Sequence, residues 1–216
     1  MTAGLRRADR LALAHGACVI VELDDEAGAL ARLAPAEQAR AAELGPVRRR
    51  EFIAGRTALH LALDSDAPVL SDDRGAPIVP AGWVGSVSHK RALAAALVAP
   101  VGAGRIGVDL ELAVPPRGDI GPRVLTAREL AALTGGGRGV TLRFAIKEAI
   151  YKALDPWVQR MVAFQEVEIV TAPDGGRRAR LLLAGHQDEG PFDVELHDAS
   201  DDRLVLVVAS VTPKKK

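Results

Sequence analysis

The sequence predicts an α+β fold, in which helices and antiparallel strands share one chain of 216 residues. Residues 141–154 have the apolar spacing of an amphipathic helix. Several short runs rich in β-branched residues follow this helix, and the short turns between them favour antiparallel pairing. These strand-like runs cover residues 167–170, 179–183, 192–196 and 204–209.

The first part of the chain alternates strand and helix signals. Residues 18–23 are rich in β-branched side chains and predict a strand. Pro35 marks a helix start, because proline is favoured in the first turn of a helix. Helical spacing resumes over residues 52–63 after a Gly-Pro break, and residues 72–77 predict a turn-rich loop.

The middle of the chain predicts a hairpin followed by a capped helix. The alanine-rich run 92–99 is short and precedes a turn that contains proline and glycine, so we predict a strand that pairs with residues 105–111. Thr126 and Glu129 have the spacing of a capping box at a helix start. The glycine-rich stretch 135–139 predicts a mobile loop.

Composition limits the classes of function open to the chain. Lysine plus arginine and aspartate plus glutamate both number 28, so the bulk positive charge of nucleic-acid-binding proteins is missing. No uninterrupted apolar run approaches the ~18–20 residues that a membrane span requires. The single cysteine, Cys18, fits a reducing compartment. We therefore expect a cytoplasmic protein with no nucleic-acid or membrane partner.

The first motif suited to chemistry is Gly107-Val108-Asp109-Leu110-Glu111. If this run is a strand, its apolar residues face a core, and Asp109 and Glu111 point together to the opposite side. Two neighbouring carboxylates repel each other unless a cation or water separates them, and magnesium prefers oxygen ligands of this kind. Alone, the motif is more simply explained as an acidic strand face exposed to solvent.

The second motif lies on the helix predicted for residues 141–154. Glu148 and Lys152 are one turn apart on a face outside the apolar stripe, and Lys147 is next to Glu148. The simpler interpretation is a surface ion pair that adds little to stability. In the functional interpretation, Glu148 is a third metal ligand or a base, and the two lysines bind phosphate.

Further residues have side chains suited to phosphate oxygens. Ser88 and His89 lie in a predicted turn of small residues and can donate hydrogen bonds to phosphate or ribose. Arg48 and Arg56 belong to the basic side of one predicted helix, and Arg74 lies in the turn-rich loop. Each of these groups alone is more simply explained as a solvated or partly buried polar residue.

The order of these motifs resembles that of the larger phosphopantetheinyl transferases, which activate siderophore, polyketide and peptide synthetases. The resemblance covers roughly residues 33–170 and is most specific over residues 144–168. That stretch includes Lys147-Glu148-Ala149-Ile150-Tyr151-Lys152-Ala153 and Phe164-Gln165-Glu166-Val167. Phe144 begins a Phe-x-x-Lys-Glu pattern that resembles the enterobactin-type branch, because the surfactin-type branch has tryptophan at this place.

The resemblance implies two similar α+β halves with the substrate in the cleft between them, and we place these halves at residues 1–103 and 104–216. It also implies site residues: Asp109, Glu111 and Glu148 for magnesium, Arg48, Arg56, Arg74, Ser88, His89 and Lys147 for coenzyme A, and Glu148 with Lys152 for catalysis. One departure concerns the loop, where many relatives have Gly-Lys-Pro. This chain has Ala76 in the middle position, so Arg74 would supply the charge.

The activity that the resemblance implies is transfer of the 4′-phosphopantetheine group of coenzyme A to a serine of an apo acyl or peptidyl carrier protein. The carriers would belong to fatty acid, polyketide or nonribosomal peptide synthases. The reaction would need magnesium and release 3′,5′-ADP, with Glu148 or a metal-bound water as the base, and we expect a monomer.

The alternative from a different class is a non-catalytic module that binds coenzyme A or a carrier protein. The presence of every metal carboxylate and of the Lys-Glu pair argues against it. An ordinary acyl-coenzyme A transferase would leave the paired carboxylates unexplained.

Overall fold

The computed structural model describes residues 4–172, 175–183 and 190–214. Within these ranges the chain mixes helices and strands, so the α+β class is confirmed. The strands are β1 (Leu5–Leu13), β2 (Gly16–Leu23), β3 (Trp83–Lys90), β4 (Leu93–Pro100), β5 (Arg105–Leu112), β6 (Val167–Thr171), β7 (Arg177–Leu181), β8 (Phe192–Asp198) and β9 (Leu204–Pro213). The helices are α1 (Glu26–Leu30), α2 (Pro35–Ala42), α3 (Pro46–Leu63), α4 (Gly121–Val124), α5 (Ala127–Ala131) and α6 (Gly136–Val158), and 3₁₀ turns cover Val101–Ala103 and Phe164–Glu166.

The strands form two larger antiparallel sheets and one separate pair. The first sheet has the order β1-β2-β4-β3, the second has the order β5-β9-β8, and β6 pairs with β7. Among the described residues, no helix combines the length and the hydrophobicity that a membrane crossing would need.

Each larger sheet packs one long helix against one of its faces. Val19 and Val21 of β2 belong to the same buried cluster as Ile53 of α3. In the second half, Val207 of β9 belongs to the same cluster as Ile150 of α6. Because side chains alternate along a strand, the residues of opposite parity point to the other face of each sheet.

These other faces meet in an apolar layer between the two sheets, called here the inter-sheet layer. Its buried members include Ile20 and Leu97 of the first sheet and Val108 and Leu206 of the second. The order of layers is therefore helix, sheet, sheet, helix, and the inter-sheet layer joins the two halves of the chain.

The two halves repeat one arrangement around a buried glutamate. Glu37 is the third residue of α2 and Glu129 is the third residue of α5, and each carboxylate accepts the N–H of the residue that precedes its helix. Each carboxylate also accepts an N–H from a later segment at 3.0 Å and pairs with a basic residue of the long helix. The partners are Val69 and His60 in the first half and Ile169 and Lys147 in the second.

Most predicted elements are confirmed. The strand predicted for residues 18–23 lies in β2, the run 92–99 lies largely in β4, and the helix 141–154 lies in α6. Thr126 caps α5 and makes both bonds of the capping box with Glu129. The strand-like runs that follow α6 correspond to β6, β7, β8 and β9.

The hairpin predicted between residues 92–99 and 105–111 is wrong. Strand β4 lies inside the first sheet, and β2 and β3 occupy its two hydrogen-bonding edges. No edge of β4 is left for β5, which pairs with β9 instead.

Two predicted irregular segments are regular elements. Residues 85–89, predicted as a turn, lie in β3, where pairing with β4 holds the backbone extended. Most of the glycine-rich stretch 135–139 lies in the first turn of α6. A Cβ on Gly139 would lie 2.1 Å from the carbonyl oxygen of Thr134, so this glycine permits close packing at the helix start.

Candidate active site

The side chains of β5 alternate between a core and the candidate site, as predicted. Ile106, Val108 and Leu110 belong to the inter-sheet layer. Asp109 and Glu111 therefore point to the opposite face of the strand, on the side where α6 packs.

Gly107 lets α6 lie directly on β5. It shares a face with Asp109, and a Cβ at this position would lie 1.9 Å from the carbonyl oxygen of Ala149. Any larger residue would push the helix away from the strand. The close approach brings Glu148 and Lys152 of α6 to Asp109.

Asp109 is the centre of a buried hydrogen-bond network. Its Oδ1 accepts hydrogen bonds from Ser88 Oγ of β3 and from Lys152 Nζ, both at 2.8 Å. Lys152 Nζ also donates to the carbonyl oxygen of Val108 at 2.8 Å. Lys152 therefore lies against β5, an arrangement that the alternative of a surface ion pair along α6 does not explain.

The three predicted metal carboxylates influence one another. Burial, and next the charge of Asp109, raise the pKa of Glu148, while Lys152 opposes them and Glu111 adds to them. Glu111 is paired with Lys90, whose ammonium lies 2.6 Å from its Oε2. The negative charge that gathers at this point is therefore only partly neutralised by lysines.

Asp109 fits the role of a metal ligand. In the part of the chain that the structure describes, no three acidic, histidine or cysteine side chains are close enough to enclose a metal ion in this conformation. The Oδ2 of Asp109 is nevertheless buried without a hydrogen-bond donor. Leaving such an oxygen unpaired is costly, and a hard cation such as magnesium binds oxygens of this kind. With Glu111 and Glu148 nearby, the donor set fits magnesium.

A second cluster lies where α3 meets β3. Arg48 is exposed and pairs with Glu51 at 3.0 Å, and Nδ1 of His89 lies 3.6 Å from the same carboxylate oxygen. Burial lowers the pKa of His89; Glu51 opposes this effect, and Lys152 and Arg48 add to it. His89 is therefore electrostatically linked to the Asp109 network through Lys152.

Arg56 and Arg74 have different environments. Arg56 is buried: its Nη2 donates to Ser71 Oγ at 2.7 Å, its guanidinium lies 4.5 Å from the ring centre of Phe52, and burial lowers its pKa to about 10. Arg74 is exposed and forms a two-point ion pair with Asp155 of α6, with Nε 2.7 Å from Oδ2. Of the two, Arg74 is the one that a ligand reaches directly.

Lys147 contradicts the expectation that it contacts phosphate. Its side chain is 0% exposed, and its ammonium donates to the carbonyl oxygens of Val124 and Phe164 and to Glu129 Oε2 at 2.7–2.9 Å. An ammonium has three protons, so no donor is left for coenzyme A. Burial has the largest effect on the pKa of Lys147 and lowers it, whereas Glu129 raises it. The residue holds segments of the protein together.

A cleft of about 1030 Å³ runs between the two halves, beside the Asp109 network. The loop that contains Arg74 and part of β3 line one side, and α6 with the segment after it lines the other. Of the predicted site residues, Arg74, Glu148 and Lys152 line this cleft. Its volume suits a ligand of cofactor size.

Sequence reasoning missed several residues that line the cleft. Tyr151 and Phe164 have ring centres 5.5 Å apart, and Gln165 Nε2 donates to the carbonyl oxygen of Arg123 at 2.7 Å. Tyr151, Phe164 and Gln165 lie inside residues 144–168, where the resemblance is most specific. That position in the sequence was the signal that could have identified them. Nothing in the sequence singles out Arg123 or Asp155.

Both halves of the chain match described protein families. Residues 36–99 match the 4′-phosphopantetheinyl transferase N-terminal domain, and residues 105–209 match the 4′-phosphopantetheinyl transferase superfamily.

Three characterised proteins are similar to most of the chain, and all three carry the name 4′-phosphopantetheinyl transferase. Svp of Streptomyces mobaraensis is 32% identical over 71% of this chain and 67% of its own length. PptT of Mycobacterium tuberculosis is 34% identical over 67% and 70%, and Npt of Nocardia iowensis is 35% identical over 72% and 78%. A solved holo-[acyl-carrier-protein] synthase from Thermotoga maritima matches 51% of this chain and 64% of that chain, at 22% identity and a TM-score of 0.43.

Proposed function

Since the chain belongs to the 4′-phosphopantetheinyl transferase family, we propose that the cleft between its halves is the place where coenzyme A gives its phosphopantetheine arm to a carrier protein. The chain is a transferase, and its reaction joins the 4′-phosphopantetheine group to a serine of the carrier. One observation supports this site above the others. Asp109 and Lys152 form a partly buried pair beside a cleft that Glu148 and Lys152 line from one half and Arg74 lines from the other.

Magnesium would be held by Asp109, Glu111 and Glu148. The unpaired, buried Oδ2 of Asp109 supports this assignment. So does the raised pKa of Glu148, which is caused first by burial and then by repulsion from Asp109 and Glu111. Magnesium bound there supplies positive charge to the pyrophosphate of coenzyme A.

The phosphates of coenzyme A would meet the basic residues of the first half. Arg74 is exposed in the cleft, and its guanidinium fork suits phosphate oxygens, so the ligand would take the place of Asp155. Arg48 and His89 form the second cluster and are candidates for another phosphate. Arg56 is buried and donates to Ser71 Oγ at 2.7 Å, and its Nε has no hydrogen-bond partner, so a donor remains for a phosphate oxygen.

Glu148 is the base in the proposed reaction. Its carboxylate lines the cleft together with Lys152, where the carrier serine and coenzyme A would meet. The carrier serine gives its hydroxyl proton to the Glu148 carboxylate, and the serine oxygen attacks the β-phosphorus of coenzyme A. The bond from that phosphorus to the oxygen of 3′,5′-ADP breaks. Lys152, which has one proton beyond those given to Asp109 and Val108, stabilises the charge that develops on the phosphates.

The test is transfer to apo carrier proteins with coenzyme A and magnesium, read by mass spectrometry as an added phosphopantetheine. Glu148→Gln keeps the shape of the side chain and removes its basicity, so we expect its single-turnover rate to fall by roughly 100-fold or more. Glu43→Gln, which alters an exposed glutamate at the end of α2, is the control and keeps the wild-type rate.

Two results would contradict the proposal. A wild-type protein that binds coenzyme A and leaves every apo carrier unmodified is a binding module. A Glu148→Gln variant that transfers at the wild-type rate removes Glu148 from the role of base.

Finer assignments extend the proposal. We assign the chain to the enterobactin-type branch, supported by the Phe-x-x-Lys-Glu pattern that begins at Phe144. The carriers are those of fatty acid, polyketide or nonribosomal peptide synthases. A monomer with halves at residues 1–103 and 104–216 is supported by the inter-sheet layer, which joins both sides of the cleft within one chain. A cytoplasmic location is supported by the free, buried thiol of Cys18.

A further inference from the structure

Two serines face the apolar layer between the sheets. Strand β3 presents Val84, Ser86 and Ser88 on one face, and Val84 belongs to the inter-sheet layer. Ser86 is 4% exposed and Ser88 is 7% exposed. A buried hydroxyl is unfavourable unless it forms hydrogen bonds, so each serine needs a partner at this place.

Both partners lie on β5, which belongs to the other sheet. The N–H of Val108 donates to Ser86 Oγ at 3.1 Å, and Ser88 Oγ donates to Asp109 Oδ1 at 2.8 Å. The two serines therefore differ in what they hold. Ser86 accepts a hydrogen bond from the backbone of β5, whereas Ser88 donates a hydrogen bond to a carboxylate of the candidate site.

We propose that Ser88 is a positioning residue that fixes the Asp109 carboxylate for its metal. This inference rests on the proposed function, in which Asp109 binds magnesium. Ser88 and Lys152 both donate to Oδ1, which fixes the plane of the carboxylate and leaves the buried Oδ2 as the free oxygen.

Ser88 and Lys152 are not equivalent donors. Lys152 has a flexible, half-buried side chain and is assigned to the charge that develops on the phosphates. Ser88 has a short side chain on a paired strand, and its hydroxyl responds little to that charge. Ser88 therefore keeps Asp109 oriented while Lys152 interacts with the substrate. Its single hydroxyl proton is used by Asp109, so the contact with coenzyme A that the resemblance implies is replaced by a contact with the metal ligand.

The test measures metal affinity directly. Mn²⁺, which binds oxygen ligands and is visible by electron paramagnetic resonance, is titrated into the protein at saturating coenzyme A. Partners that orient metal ligands typically contribute about 10- to 100-fold to metal affinity, so we expect Ser88→Ala to bind Mn²⁺ about 10-fold more weakly. Calorimetry with coenzyme A in the presence of a chelator should give the wild-type affinity for Ser88→Ala.

Two variants make the test specific. Ser86→Ala removes the neighbouring bond to β5 on the same face of β3, and it should keep the wild-type Mn²⁺ affinity. Ser88→Thr keeps the hydroxyl and should recover most of the affinity lost in Ser88→Ala. If Ser88→Ala does not fold, Ser88→Cys replaces it, since a thiol keeps the volume and is a weaker donor.

Three results would overturn the inference. The first is wild-type Mn²⁺ affinity in Ser88→Ala or its Cys replacement. The second is an equal loss of Mn²⁺ affinity in Ser86→Ala, which would show that both serines act only by holding the two sheets together. The third is a loss of coenzyme A affinity in Ser88→Ala with the chelator present, which would show that Ser88 contacts coenzyme A directly. Carrier modification by the wild type, measured in parallel, tests the proposed function separately: normal transfer combined with any of these three results overturns only the role of Ser88.

Discussion

At the residue scale, Gly107 determines how closely α6 approaches β5. The charged residues of the site are recognisable in the sequence by their chemistry, whereas Gly107 contributes through the side chain that it lacks. Its Cα faces the backbone of α6 at Ala149, where an added Cβ would lie 1.9 Å from an oxygen atom. The distance from Lys152 to Asp109 therefore depends on a residue with no functional group.

We predict that Gly107→Ala reduces activity far more than it reduces stability. The methyl group would force α6 outward, and overpacking of this kind typically costs about 1–3 kcal/mol. A displacement of about 1 Å in catalytic groups lowers rates by about 100-fold. The measurements are single-turnover transfer and urea unfolding. Gly102→Ala is the control, because nothing lies within 4 Å of a Cβ at that position, and an active Gly107→Ala variant would show that α6 tolerates the shift.

At the element scale, the Lys147–Glu129 pair ties the short elements of the second half to α6. Glu129 caps α5 and accepts the N–H of Ile169, while Lys147 donates to the ends of two nearby segments at Val124 and Phe164. These segments carry the wall of the cleft opposite Arg74. The pair therefore fixes the wall at a point directly beside Glu148.

We predict that Lys147→Met destabilises the protein by about 3–5 kcal/mol, because it leaves the buried Glu129 without its cation. The double variant Lys147→Met with Glu129→Gln should recover much of this loss, since no unpaired charge remains. Urea unfolding measures both effects. A phosphate ligand would behave differently: Lys147→Met would then raise the KM for coenzyme A and leave the free energy of unfolding unchanged, and that result would contradict our assignment.

Local pattern predicted many elements and could not predict their partners. The period-two pattern of β5 placed Asp109 and Glu111 on one face correctly. Which strands pair with β4 depends on contacts with β2, which is distant in the sequence. No local sequence pattern indicates this pairing. Lys147 was misassigned because lysine is seldom fully buried, and the glutamate that balances its charge lies 18 positions earlier in the chain.

At the scale of the whole molecule, the buried pair of Glu37 and His60 makes the stability of the fold depend on pH. The hydrogen bond to Glu37 is the main cause that raises the pKa of His60 above 6.5. Burial acts to raise the pKa of Glu37, but its hydrogen bonds with His60, Val69 and Ala34 outweigh burial and lower that pKa below 4.5. The stabilisation that His60 contributes is therefore complete below about pH 6.5, and it is lost as the pH rises through the folded-state pKa of His60. The stabilisation that Glu37 contributes is present above pH 4.5, and it is lost as the pH falls through the lower folded-state pKa of Glu37.

We predict that His60→Gln removes a part of the pH dependence of stability above pH 6.5. The wild type should lose stability over this range as His60 gives up its proton, and the variant should lose less. Urea unfolding at several pH values measures the difference. His197→Gln, which replaces an exposed histidine of β8, should follow the wild type. Parallel curves for the wild type and His60→Gln would show that the buried pair does not titrate in this range.

The resemblance supplied the idea of a cleft between two halves, and the sequence alone did not locate its walls. The walls meet where Ser86 and Lys152 form hydrogen bonds with the backbone of Val108 at the edge of β5 and Ser88 bonds the side chain of Asp109. Contacts of this kind join residues that are 21 to 44 positions apart, and single-sequence periodicity carries no information on them.

The separate cores of the two halves have an evolutionary consequence. The loop of Arg74 belongs to the half whose core is α3 with the first sheet, and the carboxylates proposed to bind magnesium belong to the half whose core is α6 with the second. A substitution in this loop that changes the proposed contact with coenzyme A lies outside the apolar core that packs behind Asp109. Selection can therefore adjust substrate preference on one wall without disturbing the reacting groups on the other, and a library confined to residues 72–77 samples new specificities at little risk to the chemistry.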